Sequence, residues 1–173
     1  YLEQSLSIHR EIGDKAGEGV TLNNLAQIYY ARGDSDTALS YLEQSLSICR
    51  EIGNKAVEGA TLNNLSQIYN TRGDSDTALS YLEQSLSIHR EIGDKAGEGT
   101  TLHNMGYIAR KADHAQKALS LWFEALEIAK EIGDARLLFD TAGTLGRVFA
   151  QANAKDHARL LLAHVQGALD FAR

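Results

Sequence analysis

Residues 1 to 40 read YLEQSLSIHREIGDKAGEGVTLNNLAQIYYARGDSDTALS, and residues 41 to 80 repeat this stretch with seven differences. The differing pairs are His9/Cys49, Asp14/Asn54, Gly17/Val57, Val20/Ala60, Ala26/Ser66, Tyr30/Asn70 and Ala31/Thr71. A third copy starts at Tyr81 and drifts after Gly99, and a fourth copy from Leu121 keeps the EIGDA junction. A fixed period of this size indicates a solenoid, in which one supersecondary unit stacks on copies of itself.

Each copy contains two stretches with helical periodicity. In the first stretch, apolar residues recur at intervals of three and four, at Leu22, Leu25, Ala26 and Tyr29. In the second stretch, the same pattern holds at Ala38, Leu39, Leu42, Leu46 and Ile52. Such spacing places the apolar side chains on one face of a helix. We therefore expect two amphipathic helices in each copy.

Short polar junctions separate the helices. Gly33 can take the left-handed conformation that ends a helix, and either Asp34 or Ser35 can cap the helix that follows. Gly13 followed by Asp14 repeats this stop-and-start signal. Each copy is therefore a helical hairpin bounded by short turns.

The small and large positions of these hairpins resemble the tetratricopeptide repeat signature. The residues that carry the resemblance are Leu22, Leu25, Ala26, Tyr29, Ala38, Leu42 and Ser45, repeated at Leu62, Leu65, Ser66, Tyr69, Ala78, Leu82 and Ser85. The 40-residue period is longer than the usual thirty-four of that family, and is similar to the lengthened repeats of kinesin light chains and Pins-type polarity adaptors. Small residues are expected where two helices approach closely, at Ala26, Ser66, Gly106 and Gly146.

The predicted fold is an all-α, right-handed superhelical solenoid of antiparallel helical hairpins, with about nine helices in a single repeat domain over residues 1–173. Residues 1–13 form the second helix of a truncated repeat. Helical hairpins then follow at residues 14–53, 54–93, 94–133 and 134–173. The last helix is expected at Ala158 to Phe171.

In a solenoid of this kind, the first helix of each hairpin lines a concave groove, and a ligand meets the residues between its buried positions. In the first two hairpins these residues are Asn23, Asn24, Gln27, Tyr30, Asn63, Asn64, Gln67 and Asn70. In the last two they are His103, Asn104, Tyr107, Arg110, Lys111, Thr144, Arg147 and Gln151. These positions form the predicted peptide-binding surface.

Three asparagines occupy the same place in successive copies: Asn24, Asn64 and Asn104. An amide side chain offers both a donor and an acceptor, as an extended peptide backbone does. The resemblance to kinesin light chains and Pins-type adaptors implies that these three form a ladder that holds a peptide backbone. The alternative is that they are polar surface residues made identical by duplication.

The chain has a net charge of −6, and this charge is distributed unevenly. Residues 1–80 carry 6 basic and 11 acidic side chains, whereas residues 81–173 carry 11 and 12. Arg110, Lys111 and Arg147 fall on groove-facing helices of the second part, where they could bind carboxylates of an acidic peptide. The alternative is an ordinary solvated face.

Composition and spacing exclude several other functions. The negative net charge disfavours non-specific nucleic-acid binding, because that requires a basic surface. Equivalent residues of successive copies, such as His9, Cys49 and His89, are separated by about 10 Å or more and cannot share a metal ion. The glycine-rich stretch Gly93 to Thr101 lacks the Gly-Lys-Ser/Thr end of a phosphate-binding loop. We expect no enzyme activity, no cofactor and no metal.

The sequence therefore predicts a protein-protein interaction module that binds a peptide or protein segment in its concave groove. One alternative is a structural scaffold that self-associates through uncapped ends. Another is a sensor or regulatory array of a larger protein, with a protease-like or DNA-binding effector domain elsewhere. The single cysteine and the short apolar runs favour a cytoplasmic protein without a membrane partner, and the negative net charge disfavours a nucleic-acid partner.

Overall fold

A computed structural model describes residues 1–151, and every secondary-structure element in that range is helical. The helices are α1 Leu2–Glu11, α2 Lys15–Ala31, α3 Ser35–Ile52, α4 Lys55–Thr71, α5 Ser75–Ile92, α6 Lys95–Lys111, α7 Ala115–Ile132 and α8 Ala135–Gln151. This confirms the predicted all-α class. The helix expected at Ala158 to Phe171 lies outside the described residues.

The chain divides into two compact units, the first covering residues 1–94 and the second starting at Lys95. In the first unit, α2 packs on α3 and α4 packs on α5, so helices joined by a short turn are partners. In the second unit, α6 packs on α7 in the same way. The helix α2 also contacts α4, which brings the first helices of two successive hairpins side by side.

Side-chain caps start the helices where the sequence predicts them. Asp34 and Asp74 accept hydrogen bonds from the backbone N–H groups of Thr37 and Thr77, at 3.1 and 3.0 Å. Asp34, and not Ser35, is therefore the cap of α3. The hydrogen bonds from Thr37 hold the pKa of the Asp34 carboxyl below its usual value. Gly33, with φ at 85°, supplies the left-handed residue before it.

The α6–α7 turn departs from this pattern. Asp113 takes the place of Gly33 and has φ at 62°, a conformation that side-chain-bearing residues rarely adopt. His114 takes the place of Asp34 and makes no side-chain cap hydrogen bond. In the third copy, this turn has therefore lost both the glycine that ends the first helix and the aspartate that caps the second.

Three of the seven differences between the first two copies belong to one contact cluster. In the first copy, the imidazole Nδ1 of His9 lies 2.9 Å from Oδ2 of Asp14. A Cβ built on Gly17 would overlap both of these side chains. The second copy has Cys49, Asn54 and Val57 at the equivalent positions. The second copy thus has a smaller residue, Cys49, in place of His9, and a larger one, Val57, in place of Gly17. The two changes together preserve the packed volume.

A buried carboxylate joins α1 to α2. Glu18 is 7% exposed, and its Oε1 accepts a hydrogen bond from Nε of Arg10 at 2.8 Å. Lys15 Nζ lies 3.3 Å from the second oxygen. Arg10, and then Lys15, hold the pKa of Glu18 below its usual value despite its burial. The pair Arg50 and Glu58 repeats the bridge in the next copy at 3.0 Å.

The small positions of the first helices differ in what they contact. Ala26 and Ser66 are each 1% exposed, as expected for a close helix crossing. A Cβ built on Gly106 would overlap the indole ring of Trp122, which replaces the Leu42 and Leu82 of the earlier copies. The helix that would pack against Gly146, expected at Ala158 to Phe171, lies outside the described residues.

We predict that Gly106→Ala destabilises the protein by about 1–3 kcal/mol, because the methyl group overpacks against the Trp122 indole. The same change in a Trp122→Leu background should be neutral or stabilising, because Ala with Leu is the pair that the first copy has at Ala26 and Leu42. Urea unfolding of the four proteins of this cycle measures the coupling.

A cost of Gly106→Ala that is equal in both backgrounds would contradict the assigned contact. A simple stabilisation of about 0.5–1 kcal/mol would also contradict it, since that is the ordinary effect of replacing glycine by alanine inside a helix.

Candidate functional site

The residues predicted to meet a ligand lie on the first helices of the hairpins, α2, α4, α6 and α8, and differ in exposure. Eight are exposed: Asn24, Gln27, Gln67, Tyr107, Arg110, Lys111, Arg147 and Gln151. Five are half-buried: Tyr30, Asn64, Asn70, His103 and Asn104. Three are buried: Asn23, Asn63 and Thr144. The last group is not open to a ligand, which differs from the expectation from sequence.

Asn23 is 8% exposed because its side chain lies between α2 and α4. Its Oδ1 accepts a hydrogen bond from Nδ2 of Asn64 at 3.0 Å and lies 3.3 Å from Oγ1 of Thr61. Asn63, the equivalent residue of the next copy, is 6% exposed. Asn23 is therefore a packing residue between two first helices, and not a surface position.

The asparagines of the predicted ladder have different surroundings. Asn24 is exposed and makes no side-chain hydrogen bond within the described part of the chain. Asn64 is half-buried and uses one N–H for Asn23, which leaves its Oδ1 and a second N–H for other partners. Asn104 lies in the second unit and is also half-buried. The fourth residue of this series is Thr144, so the amide pattern ends there.

Tyr30 forms the second polar link between α2 and α4. Its hydroxyl lies 2.6 Å from Oγ1 of Thr71, near the C-terminal ends of the two helices. Thr71 was absent from the residues selected by sequence. Its only sequence signal is the simultaneous change of Tyr30 to Asn70 and Ala31 to Thr71 between copies.

The second unit gathers four of the candidate residues into one cluster: His103, Tyr107, Thr144 and Arg147. The Thr144 hydroxyl donates to the backbone carbonyl of Asp140 at 2.9 Å, so its single proton is used there. Its oxygen lies 2.9 Å from the Tyr107 hydroxyl and 3.1 Å from Nη2 of Arg147. Tyr107 and Arg147 must therefore both donate to Thr144, which fills its two lone pairs.

This arrangement fixes one edge of the Arg147 guanidinium. Arginine has five N–H donors, and Thr144 accepts from one of them. Arg147 is an exposed residue, and its side chain is held at one point by this hydrogen bond. A guanidinium held in this way is suited to bind a carboxylate through two parallel hydrogen bonds.

His103 borders the cluster. Its Nδ1 lies 2.9 Å from Oγ1 of Thr141, and its ring packs edge-on against Tyr107 with centroids 5.1 Å apart. Burial lowers the pKa of the His103 imidazole; nearby Asp140 opposes this effect, and Arg147 adds to it. His103 is consequently neutral near pH 7. Thr141 was also missed by sequence, because its position carries a buried threonine in every copy and is read as core.

Cys49 and the potential metal ligands are the other residues whose chemistry the structure describes. Burial raises the pKa of the Cys49 thiol, which opposes formation of the thiolate that a nucleophile requires. Within those residues, no three His, Cys, Asp or Glu side chains are placed to hold a metal ion. Nor is any helix there long and apolar enough to cross a membrane.

A family model described as tetratricopeptide repeat matches the chain in three overlapping segments, residues 1–51, 20–91 and 57–131. No curated protein matches at a significant level.

Solved structures share the fold at low sequence identity. BtubC (BKLC) from P. vanneervenii is 20% identical with a TM-score of 0.76, over 90% of this chain and 65% of that one. A candidate kinesin light chain of Podosopora anserina with nearly identical TPR-like repeats is 19% identical with a TM-score of 0.67, over 99% and 85%. A single-substitution variant of that protein is also 19% identical, with a TM-score of 0.69 over 96% and 82%. The present chain thus spans about two thirds of the length of BtubC.

We predict that His103→Asn, which installs the residue of the first two copies, reduces the acid sensitivity of folding. A lowered pKa means that the His103 side chain binds a proton more readily in the unfolded chain than in the folded one. Its contribution to the free energy of unfolding is therefore fully present above the ordinary pKa of 6.5 and is lost as the pH falls below that value. The loss from one group is at most about 1.4 kcal/mol for each pH unit. Urea unfolding at pH 7.5 and at pH 5.5 measures this loss in both proteins.

The other histidines contribute equally to both proteins, so the difference between them isolates His103. An identical loss of stability in the wild type and in His103→Asn would show that this imidazole titrates as it does in the unfolded chain.

Proposed function

Because this chain belongs to the tetratricopeptide repeat family, we propose that it binds a peptide or protein segment along the concave side of its first helices. Repeats of this family mediate protein-protein interactions, and α2, α4, α6 and α8 carry the exposed polar residues that such a segment would meet. Asparagine side chains would hold the peptide backbone, and the positions that vary between copies would select its side chains.

The backbone contact is supported by the amides of the first unit. Asn24 is exposed, and Asn64 retains an oxygen and one N–H beyond its bond to Asn23. A peptide group presents the complementary acceptor and donor. Asn24 and Asn64 occupy equivalent places on two helices that contact each other, so a chain crossing both helices could bond each in turn.

The chemistry of the partner is supported by one observation, the anchored guanidinium of Arg147. Thr144 accepts from one of its N–H groups, and Arg147 as a residue is exposed. Arg110 is a second exposed cation, at the C-terminal end of α6 in the same unit. We propose that a segment bound on the second unit carries aspartate or glutamate at this place.

We predict that random peptides selected by display on the folded protein are enriched in Asp and Glu. With one selected peptide as the probe, Arg147→Gln should weaken binding about tenfold or more, because it removes a charge-assisted hydrogen bond. For a selected peptide that binds the first unit, Asn24→Ala should weaken binding about fivefold, the effect of one ordinary hydrogen bond. Raising the salt concentration should weaken binding by screening. Fluorescence polarisation measures each affinity.

Two matched variants serve as controls. Lys117→Gln makes the same charge change as Arg147→Gln, but on α7, which is the second helix of its hairpin. Gln4→Ala removes an exposed amide from α1, which also corresponds to the second helix of a hairpin. Neither should alter affinity. Failure to select any peptide would refute the proposed function, and equal effects of Lys117→Gln and Arg147→Gln would refute the specific carboxylate contact.

A second candidate function, self-association, is favoured by one exposed surface. Ile28 of α2 is 38% exposed, whereas its equivalent Ile68 is 1% exposed in α4, which packs on α2. A hollow of about 350 Å³ adjoins Ile28 and is lined also by Leu2, Leu25, Tyr29 and Arg32. In this chain, α2 packs on α4, and both are first helices of a hairpin. A first helix from a second copy of the chain could therefore pack on α2 in the same way.

We predict a concentration-dependent dimer that Ile28→Lys abolishes, because the substitution buries a charge in the contact. Val20→Lys is the control, because Val20 is exposed to a similar 41% on the same helix and does not line the hollow. Sedimentation across a concentration series measures the association. A wild-type protein that stays monomeric throughout would exclude self-association through this surface.

A further inference from the structure

The buried amide of Asn23 contacts one of the two candidate ladder asparagines of the first unit and not the other. Asn23 lies on α2, one residue before Asn24, and its Oδ1 reaches across to Nδ2 of Asn64 on α4 at 3.0 Å. No side chain holds Asn24 in the same way within the described residues. Of these two equivalent asparagines, Asn64 is therefore fixed by a hydrogen bond from its side chain, whereas Asn24 is not.

Proton counting shows that Asn64 is the principal donor to Asn23. Thr61 has a single hydroxyl proton, and the carbonyl of Val57 lies nearer to its Oγ1, at 2.7 Å, than Oδ1 of Asn23 does, at 3.3 Å. The hydroxyl of Ser45 lies next to Thr61, but its proton is also used elsewhere, because it donates to the carbonyl of Gly19 at 2.8 Å. The Asn64 amide is thus the donor that best satisfies the buried oxygen of Asn23.

The contact determines which way the Asn64 amide faces. An asparagine side chain has a broad terminal torsion, so a free amide samples many orientations. With one N–H directed at Asn23, the plane of the Asn64 amide is set, and its Oδ1 and second N–H are directed elsewhere together. A side chain oriented before binding loses less entropy when a ligand orders it.

We propose that Asn23 is a positioning residue that holds the Asn64 amide in the orientation in which it binds a peptide backbone. This rests on the proposed peptide binding. It makes affinity depend on a buried residue that no ligand touches, and it distinguishes two asparagines that are equivalent in sequence: Asn64 binds as a preoriented group, and Asn24 must be ordered by the ligand.

The first test uses the free protein and needs no ligand. In ¹⁵N-labelled wild type, the side-chain amide of Asn64 should be rigid in heteronuclear NOE measurements, and that of Asn24 mobile. Asn23→Ala should make Asn64 as mobile as Asn24. Asn23→Asp keeps an acceptor oxygen at the same place and should keep Asn64 rigid. An Asn64 amide that is already mobile in the wild type, or that is unchanged in Asn23→Ala, would overturn the proposal.

The second test uses the peptide selected on the wild-type protein as the probe. Asn23→Ala should weaken its binding about fivefold, and Asn23→Asp should restore most of the affinity. Ile68→Val is the control for general loosening, because it trims a 1%-exposed residue of α4 and leaves both amides in place. An equal loss of affinity in Ile68→Val and Asn23→Ala would assign Asn23 a merely structural role and overturn the proposal.

The two tests separate this proposal from the proposed function. If no peptide can be selected on the wild type, peptide binding fails, and the positioning role fails with it even where the NMR arm shows a rigid Asn64. If a peptide binds and Asn23→Ala frees the Asn64 amide without changing affinity, peptide binding stands and the positioning role is overturned.

Discussion

The contact on which the α6–α7 hairpin depends is the fit of a small residue in its first helix against a large residue in its second. In the second unit this contact joins Gly106 to the Trp122 indole, which also donates a hydrogen bond to the His103 carbonyl at 3.0 Å. A helix pair packed so closely has little freedom to slide, because core packing tolerates little change in volume. The exposed face of each first helix is thereby set as well, and the candidate site is built on that face.

Polar groups make the second set of contacts, between successive first helices. In the first unit, Asn23, Thr61 and Asn64 form a chain of side chains from α2 to α4, and Tyr30 meets Thr71 farther along the same helices. In the second unit, His103 meets Thr141 with the same sequence separation that joins Asn23 to Thr61. The residues that join the repeats therefore alternate with those that a ligand could reach, so packing and binding share one helix face.

The most distinctive chemistry lies where the repeats have diverged. Near-identical copies offer the same groups again and again, which suits contacts to a peptide backbone and gives little means of selecting its side chains. The second unit replaces an asparagine by Thr144, and Thr144 holds the exposed Arg147. Compensating changes accompany such divergence elsewhere in the chain, as with His9 and Gly17 against Cys49 and Val57.

Local interactions let the sequence alone predict the helices, the Gly33 turn and a cap at either Asp34 or Ser35, because these depend on residues three or four positions apart. The sequence also separated apolar from polar faces, and it selected Arg147 and the asparagine series. It could not determine that Asn23 is buried while Asn24 is exposed, or that Thr144 of α8 accepts a hydrogen bond from Tyr107 of α6. These facts depend on how two helices about forty residues apart are rotated against each other. Only the tertiary structure sets that rotation, because it follows from the combined packing of all the side chains between them.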